Sequence, residues 1–199
     1  TFAKIRLDDR SLRTAVESFD QLREPMPRAR VWAAAWDMLR DAEMPMRDWL
    51  ALLESGLPTE RDMSITHTLL SQTKAAIEQF SEPSRREEYR DRWAALTLRL
   101  LGESADGSDL QLAYARAFAA TARTAEHVAV LRGWLSDGSA PAGLAIDTDL
   151  RWTLLQRLLA LGAADPSEID AELTRDNTAS GHRQAATARA LVPTMEAKE

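Results

Sequence analysis

Residues 148–161 read as a helix with two apolar sides. Leu150, Leu154, Leu158 and Leu161 share one side, and Trp152, Leu155 and Leu159 share another. A helix that is apolar on more than one face cannot lie on a surface. It has to be sandwiched between neighbours. The chain must therefore supply other helices to cover it, and its remaining segments do so.

The breaks fall at proline, glycine and capping residues, with helical periods between them. A short helix spans 11–22, with Asp8 or Asp9 as its cap. Pro25 and Pro27 then break the chain, and Pro27 fits the first turn of the next helix. That helix carries Trp32, Ala35, Trp36 and Leu39 as one stripe. Pro45 opens a helix with Trp49, Leu52 and Leu53 inward, stopped by Gly56 and Pro58. A long helix follows, marked by Ile65, Leu69, Ala76, Ile77 and Phe80. Pro83 starts another, with Tyr89, Trp93, Leu96 and Leu100 on one face. Asp109 begins the next, and Val128, Leu131 and Leu135 mark its successor. A loop at 136–143 leads to Asp147, the expected cap of 148–161. Gly162 ends that helix, and two more span 166–175 and 179–191. The expected fold is all-α, about ten helices of roughly 10–20 residues, arranged as an α-solenoid of degenerate HEAT-like helix pairs. Only residues 1–7 alternate like a strand, through Ala3, Ile5 and Leu7.

Composition limits the chemistry. Net charge is −6, and the arginines are interleaved with acids, as at 85–92. That pattern is a solvated helix face with i,i+4 ion pairs, and it points away from nucleic acid. No cysteine is present, so disulfides, thiolate catalysis and thiolate zinc are excluded. The absence fits a reducing compartment, and a cytoplasmic location is expected. Of 25 basic residues only Lys4, Lys74 and Lys198 are lysines, which reads as a codon-composition signature. No apolar run approaches the roughly 18 residues of a membrane span, so no membrane partner is expected.

The sequence gives no sign of a catalytic centre. A helical zinc site needs a second ligand three or four residues from a histidine. Neither His67, His127 nor His182 has one. There is no nucleophile elbow, P-loop or Rossmann glycine pattern. Asp106-Gly107-Ser108-Asp109 reads as a turn and cap. Asp147 and Asp149 sit where carboxylates cap free N–H groups. The six tryptophans read as core, with Trp134, beside the long loop, the least settled.

Five segments carry a resemblance. They are residues 3–8 (Ala3 to Asp8), 31–38 (Val31 to Met38), 40–45 (Arg40 to Pro45), 143–152 (Gly143 to Trp152) and 169–181 (Ile169 to Gly181). In this order and spacing they resemble the C-terminal helical domain of actinobacterial aminopeptidase N. That family belongs to the gluzincin metallo-aminopeptidases, whose endoplasmic-reticulum members trim antigenic peptides. The resemblance implies that residues 1–7 are the tail of a preceding β-rich domain. Residues 8–199 would be the helical-repeat C-terminal domain, with the polypeptide extending past both ends. It places zinc, the HExxH…E motif and the Gly-x-Met-Glu-Asn motif in an earlier domain. No catalytic residue, metal ligand or cofactor is then expected in this chain. The implied role is an accessory lid that encloses the active-site cavity and helps bind peptide substrates. Its partner would be the catalytic domain of the same polypeptide.

An arginine-lined groove would receive the peptide carboxyl terminus, because a guanidinium binds a carboxylate through two parallel hydrogen bonds. Arg116 and Arg151 are the candidates, each on an otherwise apolar helix. The competing reading pairs them with nearby acids, such as Arg151 with Asp147. Two rival functions stand beside the lid. A free-standing helical-repeat adaptor that binds a protein partner fits the composition equally. A transcription regulator needs a basic helix-turn-helix, and residues 1–40 lack the glycine-containing turn.

Overall fold

The computed structural model describes residues 4–136 and 138–193. Ten α-helices occur among them: α1 (Asp9–Ser18), α2 (Pro25–Arg40), α3 (Met46–Gly56), α4 (Met63–Gln79), α5 (Arg86–Glu103), α6 (Asp109–Thr121), α7 (Ala125–Ser136), α8 (Thr148–Ala160), α9 (Ser167–Arg175) and α10 (Ala179–Leu191). Short 3-10 turns sit at Phe19–Gln21, Leu57–Thr59 and Pro83–Arg85. The all-α expectation holds, and no strand occurs among the described residues.

The local signals work through hydrogen bonds to free amides. The Asp8 carboxylate accepts from Ser11 N at 2.7 Å and starts α1. Asp147 accepts from Leu150 N at 2.8 Å and starts α8. α6 begins at Asp109 as expected, and Ser108 caps it through Gln111 N. α8 ends with Gly162 at φ +66°, where the amides of Gly162 and Ala163 return to the carbonyls of Leu159 and Leu158. Pro83 opens a 3-10 turn, and α5 itself begins at Arg86.

Gly56 has a different job from the stop signal it resembles. Its φ is −89°, an ordinary right-handed value. A Cβ there would lie 2.6 Å from the Trp32 indole and 2.9 Å from the Phe19 ring. Glycine is required because two aromatic rings close over the backbone.

The chain forms two compact units, residues 1–100 and 101–199. In the first, α1 packs on α3, and α2 packs on α3 and α4. Phe19, Trp49, Leu50, Leu52 and Leu53 are fully buried there. In the second, α8 is the hub, touched by α6, α7, α9 and α10. Trp152, Leu155, Leu159, Ile169, Ala185 and Ala188 form one buried cluster of this unit. The two apolar sides of α8 are thus both used.

Residues 4–8 have no strand hydrogen bonding, since no second extended segment is available to pair with them among the described residues. They are held instead by the ion pairs Lys4–Asp41 at 2.7 Å and Arg6–Glu43 at 2.6 Å. Residues 1–3 of that segment lie outside the described part. Trp134 is buried, with its ring 5.6 Å from that of Phe118. The tryptophan that reaches the surface is Trp36, read with the core, and Phe80, the C-cap of α4, is 44% exposed beside it.

Candidate functional site

The two candidate arginines lie in different settings. Arg116 on α6 is exposed and makes no hydrogen bond or ion pair among the described residues. Its guanidinium is open to a carboxylate from outside. Arg151, in the first turns of α8, is engaged. Its Nε and Nη2 donate to the two carboxylate oxygens of Glu172 at 2.7 and 2.8 Å. Its Nη1 donates to the Leu135 carbonyl at 3.2 Å. Its hydrogen bonds to Glu172 hold the Arg151 guanidinium above its usual range, against a smaller opposing effect of burial. The acid that takes Arg151 is therefore Glu172 of α9, not Asp147 one turn back, which is occupied as the cap. Arg116 and Arg151 share no partner.

A second fork lies beside the first. Arg132 on α7 donates to both oxygens of Glu168 at 2.6 and 2.9 Å. It also donates to the Ala163 carbonyl beyond the end of α8. Glu168 is held below the ordinary carboxylate range by the Arg132 hydrogen bonds, with burial opposing. Glu168 and Glu172 are one turn apart on α9, so two arginines from α7 and α8 clamp the same helix. Arg157 adds a bond to the Ala122 carbonyl, the C-cap of α6, at 2.8 Å. In each case an arginine satisfies a carbonyl at or just beyond the end of another helix, where no intrahelical partner exists.

Two of the five resemblance segments meet here. Trp152 of the 143–152 segment donates through Nε1 to the Asp176 carboxylate of the 169–181 segment at 2.9 Å. The other oxygen of Asp176 accepts from the Thr178 hydroxyl, and that hydroxyl caps α10 through Gly181 N. Gly181 is tied to this turn, since a Cβ there would fall 1.9 Å from the Asp176 carbonyl oxygen. The turn thus fixes α8 against the start of α10.

Another buried cluster sits in the first unit. Glu60 accepts from Arg28 at 3.2 Å and from the Trp32 indole at 3.2 Å. Its second oxygen accepts from the amides of Arg61 and Asp62. Every partner is internal, so this cluster anchors α2 to the segment before α4 and presents nothing to a ligand.

Among the described residues no group of three His, Cys, Asp or Glu stands close enough to hold a metal. The His127 Nδ1 instead accepts from the Arg123 amide, and the His182 Nε2 pairs with Asn177 Oδ1. No helix among the described residues is long and apolar enough to cross a membrane.

Sequence reasoning did not single out an open groove between α2 and α4, of about 320 Å³. Trp32, Trp36, Ile65 and Leu69 line it, with Asp37 and Gln72 as polar members. The only sequence signal for it is Trp36 followed by Asp37, a charge beside an aromatic on a stripe that otherwise reads as core.

These features define an all-helical domain in which several arginine–carboxylate pairs join one helix to another. The family model for the ERAP1-like C-terminal domain matches residues 1–199, and the chain belongs to that family. It is also 50% identical over 198 residues to Aminopeptidase N from Streptomyces lividans. That match covers 100% of this chain and 23% of the relative, so the chain spans about a quarter of its relative's length.

Proposed function

We propose that this chain is the C-terminal accessory domain of a zinc-dependent aminopeptidase N, an enzyme that removes amino-terminal residues from peptides. The domain walls the active-site cavity and helps hold the substrate, while catalysis belongs to the zinc-bearing domain of the same polypeptide. The observation that carries this reading is the match of the whole chain to an aminopeptidase N about four times its length. A free-standing adaptor leaves that match unexplained. The same reading makes the paired helices a HEAT-like stack and puts the enzyme in the cytoplasm.

Of the two candidate arginines, Arg116 suits contact with a peptide carboxylate, because its guanidinium is exposed and unpaired among the described residues. Arg151 supports the domain from inside through Glu172. The test is made in the full-length enzyme with peptides whose carboxyl termini are free or amidated. Arg116→Ala should remove a preference for the free carboxylate, expressed in KM, and Arg151→Ala should not do so selectively. A preference that survives Arg116→Ala rejects the assignment.

A further inference from the structure

We propose that the groove between α2 and α4 is a binding site for a cationic side chain, best an arginine, of an extended peptide. Three observations carry it.

The first is an uncommitted charge. Asp37 lines the groove, is half-buried, and makes no side-chain hydrogen bond or ion pair among the described residues. Among the described residues it is the one charged member of the lining, so no described cation shares the lining with it. A carboxylate partly withdrawn from water and left unpaired attracts an incoming cation.

The second is aromatic surface. The Trp36 ring lines the groove, and the Phe80 ring is 6.1 Å from it at 56°. Guanidinium groups stack on indole faces, and the contact strengthens where water is partly excluded. The Trp36 indole N–H and the Gln72 amide also have no partner among the described residues. They are left to meet peptide backbone groups.

The third is size. About 320 Å³ lies at the small end of ligand sites. It takes one long side chain and its backbone. A docked amphipathic helix needs room for three or more anchors along its length. Trp32, Ile65 and Leu69 supply apolar surface for the methylene stem of the arginine.

This assignment does not depend on the aminopeptidase reading, and its test avoids the chemistry used there. The probe is the acetylated, amidated pentapeptide Ala-Leu-Arg-Leu-Ala. Its blocked termini leave nothing for Arg116 to bind. Citrulline in place of arginine makes the neutral isostere. Binding to the 199-residue protein is followed by calorimetry and by the Trp36 indole N–H resonance. The arginine peptide should move that resonance and bind about tenfold more tightly than the citrulline peptide. Asp37→Asn should remove most of the difference, and Asp37→Lys should abolish binding of the arginine peptide, with unfolding temperatures unchanged. Equal binding of the two peptides, no binding, or an Asp37→Asn protein that still discriminates overturns the proposal. A dimer in sedimentation velocity that Trp36→Ala dissociates gives the groove to a second copy, and also overturns it.

Discussion

Arg151 and Glu172 are 21 residues apart in sequence, yet they face each other through two hydrogen bonds of 2.7 and 2.8 Å. The Glu172 side chain is nearly out of contact with solvent, while that of Arg151 is about a fifth exposed. Removing the arginine strands a buried carboxylate. Arg151→Ala should cost about 2–3 kcal/mol in urea unfolding, below the fully buried range because water reaches one side. Arg151→Met with Glu172→Leu removes both charges and should recover most of that loss. A double variant as unstable as the single one would show that the arginine contributes mainly through the Leu135 carbonyl.

The Arg132–Glu168 fork predicts a pH dependence. The folded-state pKa of Glu168 is lowered from its ordinary value of 4.5. A lowered carboxylate pKa stabilises the fold fully above the unfolded value. That contribution disappears as pH falls through the folded value. The stability gap between wild type and Arg132→Met should stay constant from neutral pH down to about 5, then narrow on further acidification. A gap that widens in acid would contradict the assignment.

Glycine substitutions should split by environment. At Gly181 a Cβ meets the Asp176 backbone at 1.9 Å, so Gly181→Ala must move the α9–α10 turn. It should lower stability by at least about 3 kcal/mol, the scale of severe overpacking. At Gly102, within α5, a Cβ meets nothing within 4 Å. Gly102→Ala should stabilise by about 0.5–1 kcal/mol through helix propensity alone. Melting curves of the two variants check both signs.

Much of this fold is legible locally. Asp8 and Asp147 are readable as caps because the carboxylate bonds an amide three residues ahead. The start of α6 at Asp109 is readable too, with Ser108 of the preceding turn as its cap. What was not legible depends on distant partners. Gly56 looks like a helix stop, and only the folded positions of Phe19 and Trp32 reveal a space requirement. The arginine excess reads as base composition, yet Arg132, Arg151 and Arg157 each reach a carbonyl at or beyond another helix's end. A lysine at 132 or 151 could not reproduce the fork on a carboxylate together with the carbonyl bond. For the candidate site, the helices of Arg116 and Arg151 were readable, but only the fold separates an open guanidinium from an engaged one. The groove at Trp36 stayed hidden because an aromatic on a helical stripe looks the same whether covered or open.

Trp152 tests the hub role of α8. It is 1% exposed and donates to Asp176. Trp152→Ala should cost about 3–5 kcal/mol, as for other buried large aromatics. Trp152→Phe keeps part of the ring volume, loses the hydrogen bond, and should cost about half as much. An unchanged melting temperature for Trp152→Ala would mean that the side chain is not buried.

The central claim is that this domain serves a catalytic centre located elsewhere in its polypeptide. The direct measurement is hydrolysis of chromogenic alanyl, leucyl and lysyl amides by two purified proteins, the 199-residue chain and the full-length polypeptide, each supplied with zinc. The full-length protein is expected to cleave at least one amide in a reaction abolished by a chelator, and the 199-residue chain to show only background. Chelator-sensitive hydrolysis by the 199-residue chain, or none by the folded full-length protein, would contradict the claim.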